Sequence, residues 1–204
     1  MSQLQLIAGL GNPGAQYEKT RHNLGFMLID ALYAHAAEKS QPGAWRERSG
    51  ALCSEVRLGS ERLLLVKPQT YMNRSGEPLV QVMQFYKVAV DGLVVLHDEV
   101  DIPLGSLRIK QGGGDGGHNG IKSIVQSLSS PEFVRFRLGI GRPMLPPGAE
   151  RSEAVRADGI SNWVLGRFSQ EEQPSVRQLL TRATLALETL SAEGLKAAQN
   201  RFNS

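Results

Sequence analysis

A single cysteine, Cys53, stands in a chain of 204 residues, so no internal disulfide can form and no cysteine-cluster metal site can be built. Its neighbours alternate between apolar and polar, which marks it as a small core residue of a strand. No run approaches the roughly 18 consecutive apolar residues that cross a bilayer, and no basic-then-apolar signal segment opens the sequence. A soluble, cytoplasmic protein without membrane contact is expected. The glycine-rich segments lack the Gly-Lys-Ser/Thr ending of a nucleoside-triphosphate loop, and Gly-x-Ser-x-Gly is absent too, which excludes ATP or GTP binding and a serine-nucleophile turn. No histidine–carboxylate spacing typical of zinc enzymes occurs, so neither metal nor other cofactor is expected.

What is present fits one globular domain with a substantial core: 41% of residues are hydrophobic and 21% charged. The net charge of +3 says little until its distribution is considered. Between Gly105 and Arg142, six cations (Arg108, Lys110, Lys122, Arg135, Arg137 and Arg142) face only Asp115 and Glu132. The positive field is local, which suits a polyanionic ligand better than general solubility does.

Apolar spacing organises the chain. Gln3 to Leu10 reads as a strand ending at a glycine-rich turn, and Gly25 to Ala37 as a buried helix. Ala51–Leu58 and Arg62–Val66 flank Gly59-Ser60 as a tight hairpin. Ser75-Gly-Glu-Pro78 supplies a capping hydroxyl and an early proline for a helix to about Lys87. Leu93-Val-Val-Leu96 is a strand covered on both faces, and it delivers His97, Asp98 and Glu99 at its C-terminal end, where open α/β sheets bind ligands. A short strand from Ser106 to Lys110 and a helix from His118 to Leu128 follow. Val134 to Ile140 alternates, with Arg135 and Arg137 opposite the apolar face and Arg108 and Lys110 sharing a face by the same rule. Residues 143–161 are rich in Pro, Gly, Ala and charge and read as a long mobile loop. A helix from Ser169 to Glu188 and another from Ala192 end the pattern. The expected fold is α/β: a single three-layer domain spanning 1–204, with a central twisted mixed sheet flanked by helices.

The chemistry centres on His22. It lies just after the strand and the turn Gly9-Leu-Gly-Asn-Pro-Gly14, and imidazole, with an unperturbed pKa of about 6.5, exchanges a proton near neutrality. Asn12, Asn73, Asp98 and Asn119 also stand at the ends of elements. Amides can donate to a polarised carbonyl without neutralising the base, and a carboxylate can fix an imidazole's tautomer. Water activated by His22 is the simplest nucleophile, and Tyr17 and Met72 suit the lining of the same cleft. Of the other histidines, His35 reads as structural. His97 should point away from Asp98 across the sheet, and His118 is a cap or a ligand contact. Gly9 to Gly14 formally satisfies a dinucleotide pattern. Pro13 and the polar run to Asn23, however, suggest a loop where that fold needs a helix, and Asp30 falls in a helix rather than at a strand end.

Taken together, Gly9-Leu-Gly-Asn-Pro-Gly14, Thr20-Arg-His-Asn23, Lys67-Pro-Gln-Thr-Tyr-Met-Asn73, His97-Asp-Glu-Val-Asp101, Gly116-Gly-His-Asn-Gly120 and Gly139-Ile-Gly-Arg-Pro143 resemble the bacterial peptidyl-tRNA hydrolase family, in order from about Leu4 to Phe168. The resemblance implies a monomeric, metal-independent α/β esterase. Such an enzyme cleaves the ester between a peptide and the 3′-terminal ribose of tRNA, recycling tRNA from aborted translation. It makes His22 the base and Asp98 its support, gives Asn12, Asn73 and Asn119 the role of substrate-binding amides, and has Tyr17, Met72 and Gly117 line the cleft. Lys110 and Arg137 fall where the family binds tRNA phosphate. The sequence departs from the family's pattern after Pro143, where the loop is unusually long. Two other readings compete: a noncatalytic RNA-binding module, which needs the basic patch but not His22, and a dinucleotide-dependent oxidoreductase.

Overall fold

A computed structural model of the protein describes residues 5–143 and 153–203. Seven strands form one mixed sheet in the order β2-β3-β4-β1-β5-β7-β6. These are β1 (Gln5–Gly9), β2 (Arg46–Arg48), β3 (Ala51–Leu58), β4 (Glu61–Pro68), β5 (Leu93–Glu99), β6 (Leu107–Gln111) and β7 (Val134–Gly139). The four central strands β4, β1, β5 and β7 run parallel, while β2, β3 and β6 add antiparallel edges. The β3–β4 hairpin turns at Gly59-Ser60, as the glycine-first pair predicts, and Leu58 pairs with Glu61.

Alternation along the strands builds two cores. On one face Ile7, Leu65, Leu96 and Phe136 pack against α1 (Leu24–Lys39) and α5 (Gln173–Glu193), with α6 (Leu195–Phe202) alongside. On the other, Leu6, Ala8, Leu64 and Val95 meet α2 (Gly76–Tyr86) and α3 (Asn119–Leu128). Every residue of β5 is buried, as a strand covered on both sides requires. Cys53 is a core residue at 3% exposure, and burial pushes its thiol up to about 11. No described helix is long and apolar enough to cross a membrane.

The chain leaves β1 towards α1 on one face and β4 towards α2 on the other, so a crevice opens at the carboxyl ends of the central strands. Its floor depends on close packing. A Cβ on Gly25 would lie 2.3 Å from the Leu96 carbonyl oxygen, and one on Gly9 would lie 2.5 Å from that of Gly25. Glycine at both positions lets α1 rest directly on β1 and β5.

Three expectations need correction. The loop anticipated over 143–161 holds a helix in its second half, α4 (Glu153–Leu165); residues 144–152 lie outside those described. In the sequence, Pro146, Pro147 and Gly148 all fall in the first half. Beyond them Ile160, Trp163 and Val164 recur at helical spacing and pack on the core, and the Trp163 indole donates to the Gly141 carbonyl at 2.8 Å. Ser75 precedes α2 but does not cap it. Its backbone is already helical after the 3₁₀ turn Met72–Arg74, and its hydroxyl donates to the Met72 carbonyl at 2.9 Å. The C-terminal helix begins later than expected, at Gln173, because Ser169 and Glu172 bond each other's backbone N–H in a turn just before it.

Candidate active site

His22 sits in a 3₁₀ turn, Arg21–Asn23, ten residues or more after β1. The turn has an external mount. The Arg21 N–H donates to Gly166 O at 2.9 Å, and its guanidinium donates to Arg167 O at 2.6 Å and pairs with Glu172 at 2.8 Å. The same guanidinium lies 3.7 Å over the Trp163 ring of α4. Buried to 5% exposure, Arg21 ties the turn to the connection between α4 and α5.

Held there, His22 brings Nδ1 to 3.0 Å from both carboxylate oxygens of Asp98, which β5 projects from its C-terminal end at 2% exposure. A second imidazole shares the carboxylate: His118 Nε2 lies 2.9 Å from Asp98 Oδ1. The proton positions follow from the remaining bonds. His118 caps α3 by accepting from the N–H groups of Gly120 and Ile121 on Nδ1, so its proton is on Nε2 and points at Asp98. Asp98 in turn accepts from His22 Nδ1–H, and Nε2 of His22, with no hydrogen-bond partner among the described residues, is left to the cleft. Burial alone would depress the His22 pKa, but the Asp98 charge and hydrogen bond outweigh it, and the net shift is upward. Burial likewise pushes the Asp98 carboxyl up, and its two imidazole partners more than reverse this, holding it well below the usual carboxylate range.

Asn12 is fixed on three sides. Its backbone N–H and C=O bond the Asn23 side chain at 2.8 and 2.9 Å, and its own Oδ1 accepts from Met72 N–H at 2.8 Å. The oxygen being occupied, Nδ2 remains as a donor to the cleft. Asn12, His22, Met72, Asn73, Asp98, Gly117 and Asn119 together line a single cleft of about 600 Å³. Met72 is buried beneath Gly120, while Asn73 and Asn119 are exposed at the 3₁₀ turn before α2 and the first turn of α3. A neutral imidazole with a free nitrogen, facing amide donors across such a cleft, can take a proton from water beside a polarised carbonyl.

Tyr17 does not line this cleft. Its ring stands edge-on to Tyr71, with centroids 6.4 Å apart, and it is Tyr71, 59% exposed, that borders the opening. His97 lies on the other sheet face from Asp98 by the alternation of β5, as expected, and is not among the residues that line the cleft. Its Nδ1 donates to the Asp98 backbone carbonyl at 2.7 Å, and its ring packs 4.9 Å from that of His118. Burial, reinforced by His118, pulls its pKa down to about 3, so it stands there neutral. His35 bonds Glu188 at 2.8 Å and is structural, as expected.

On the neighbouring edge, Lys110 pairs across the ladder with Arg135, and Arg137 with Arg108, so four cations share one sheet face. Arg135 does not reach outward. At 2% exposure it donates to the carbonyls of Gly113 and Gly114 at 2.8 and 2.6 Å and holds the glycine-rich segment in place. Arg137 is partly exposed and pairs with Glu99 at 2.9 Å, while Lys110 is half-buried with no ion pair among the described residues. Sequence reasoning placed Glu99 at the ligand-binding strand end but gave it no role, and it missed Asn23, Tyr71 and the wall of the cleft formed by Ile160, Val164 and Leu165 of α4. The helical spacing of these last three was the only available signal.

The dinucleotide pattern has a different use. A Cβ on Gly11 would lie 2.7 Å from the Phe26 ring, and the first helix after the motif starts only at Leu24. The glycines admit an aromatic side chain, and no helix N-terminus is aimed at a pyrophosphate.

A covered α/β sheet whose central strands end in a histidine–aspartate pair and amide donors defines an α/β enzyme of the hydrolase class. The family model described as peptidyl-tRNA hydrolase matches residues 6–204, and the chain belongs to that family. It is 42% identical over 200 residues to the peptidyl-tRNA hydrolase of Alkaliphilus oremlandii, covering 98% of this chain and 100% of that one. It is 44% identical over 204 residues to that of Nitratidesulfovibrio vulgaris, at 98% and 96% coverage. The crystal structure of the Acinetobacter baumannii peptidyl-tRNA hydrolase superposes with a TM-score of 0.85 at 34% identity, covering 100% of this chain and 96% of that one.

Proposed function

We propose that the chain hydrolyses the ester between a peptide and the 3′-terminal ribose of tRNA, using water activated by His22. The observation that carries this reading is the bonding of His22 Nδ1 to both oxygens of Asp98, which leaves Nε2 free in the cleft. Nε2 takes a proton from water as the oxygen attacks the ester carbonyl, and Asp98 stabilises the imidazolium that forms. Asn12 Nδ2, with Asn73 and Asn119, donates to the carbonyl oxygen as it gains charge. The imidazolium then returns its proton to the departing ribose oxygen, releasing the peptide as a free carboxylate and tRNA with its terminal hydroxyl.

Met72 and Gly117 flank the reacting groups, with Tyr17 contributing only through Tyr71. Lys110 and Arg137 hold tRNA phosphate at the basic edge. The enzyme acts as a cytoplasmic monomer and needs no metal. His22, Asp98 and His118 do offer ligand atoms within 4.8 Å of one another. The Nε2 of His118, however, carries a proton because Nδ1 is committed to two backbone donors, and a protonated nitrogen is not a ligand.

His22→Ala is expected to cut turnover of peptidyl-tRNA by about 10²–10⁴-fold with the fold retained, the usual worth of general-base catalysis. Chelator should leave the unaltered enzyme's rate the same. Near-normal turnover in the folded variant, or loss on chelation that added metal restores, would sink the respective part of this reading.

A further inference from the structure

We infer that Glu99 is a positioning residue that aligns the phosphate-binding edge with the reaction centre by holding Arg137. The inference rests on the proposed phosphate role of Arg137. Glu99 directly follows Asp98 at the end of β5, and its carboxylate forms part of the cleft wall at 7% exposure. Arg137 lies on the adjacent strand, paired in register with His97. Its Nε donates to Glu99 Oε2 at 3.0 Å, and one terminal nitrogen pairs with the same oxygen as an ion pair at 2.9 Å. Glu99 Oε1 accepts from the Asp101 N–H at 3.2 Å, and the Glu99 backbone carbonyl accepts from Ile140 N–H at 3.0 Å. The carboxylate is thus anchored to the loop and strand around it before it meets the guanidinium.

The side-on pairing occupies one edge of Arg137 and leaves the other terminal nitrogen for a phosphate. It also answers a repulsion built into the ladder, because Arg137 and Arg108 are direct cross-strand partners. Of the four cations on that face, only Arg137 is ion-paired to a described residue. Without Glu99, repulsion from Arg108 would swing the guanidinium away from the cleft. With it, one rigid strand end sets both Asp98, on which His22 is oriented, and the arm that holds tRNA. The distance from bound phosphate to attacked ester is therefore fixed by two consecutive residues of β5.

The test compares Glu99→Gln, Arg137→Ala and the double variant on full-length peptidyl-tRNA and on a peptide ester of a short acceptor-end fragment. Thermal melting verifies the fold of each. Glu99→Gln should lower kcat/KM on the full-length substrate by about tenfold or more, the scale of a positional error, and much less on the fragment. The double variant should be no worse than Arg137→Ala, because both changes remove the same alignment. Glu99→Asp, which keeps the charge but withdraws the carboxylate, should resemble Glu99→Gln. Equal losses on both substrates, additive losses in the double variant, or wild-type behaviour of either Glu99 variant would overturn the inference. If Arg137→Ala itself spares the full-length substrate, the phosphate reading fails first and this inference with it. If Arg137→Ala behaves as expected and Glu99→Gln does not, only this inference falls.

Discussion

At Asp98 one carboxylate receives two imidazole N–H groups whose proton positions are set from outside, by the α3 backbone for His118 and by the open cleft for His22. Replacing it with asparagine removes the charge and leaves one acceptor oxygen for two donors. The Asp98→Asn variant should therefore lose about 10²-fold or more in kcat with a smaller change in KM. In its proposed role as base His22 works only when unprotonated, and Asp98 raises its pKa, so the acid limb of kcat/KM should lie above the ordinary histidine value. In Asp98→Asn the limb should move to lower pH while the plateau falls. A pH profile of both forms checks this, and an unmoved limb would mean that another group sets it. Much of this constellation was legible: strand ends and the glycine turn single out His22, Asp98, Asn12, Asn73 and Asn119. The sharing of Asp98 was not, because nothing in sequence spacing brings His118 to a carboxylate 20 residues away. Tyr17 was misplaced for a similar reason. Two tyrosines in contact were possible occupants, and only the packed fold puts Tyr71 at the opening.

At the scale of elements, strands and the hairpin follow from alternation and turn chemistry, which act within a few residues. The helix α4 escaped notice because the prolines before it dominate the composition of the whole stretch, while its reason for being helical is tertiary contact with the core. Alternation also assigned Arg135 to the correct sheet face but could not tell that the glycine carbonyls would fold over it. The contact between α4 and the His22 turn runs through Arg21, which stacks on Trp163 and forks towards Glu172 and the Arg167 carbonyl. Lysine keeps the charge but neither stacks nor forks. Arg21→Lys should lower stability by roughly 1–3 kcal/mol. It should also slow turnover by about tenfold, because the base is carried by the same turn. Urea unfolding and kcat, measured on one preparation, test both. A stability loss with unchanged kcat would show that the mount does not steady His22.

For the molecule as a whole, the proposed chemistry and the proposed recognition fall on different parts of one sheet. The reacting groups gather at the ends of β1 and β5, and the cations lie on the β7–β6 edge. Replacing both Lys110 and Arg137 by alanine should weaken binding of full-length tRNA and reduce the salt slope by up to about 2, since each phosphate contact contributes about 0.9. Hydrolysis of a short acceptor-end substrate should suffer far less. Equal losses on both substrates with an unchanged slope would assign these residues to the cleft or to folding.

The mount of His22 also has a consequence in time. Arg21 finds Arg167 and Glu172 at sequence separations of 146 and 151, and a ribosome makes the N-terminal side first. Until residues 163–172 have been synthesised, the nascent protein has its histidine but not the support that steadies it. During that interval it is itself a peptide esterified to tRNA, the kind of molecule the finished enzyme cleaves. For most of its own synthesis the chain therefore carries His22 without the external support that the finished fold gives it.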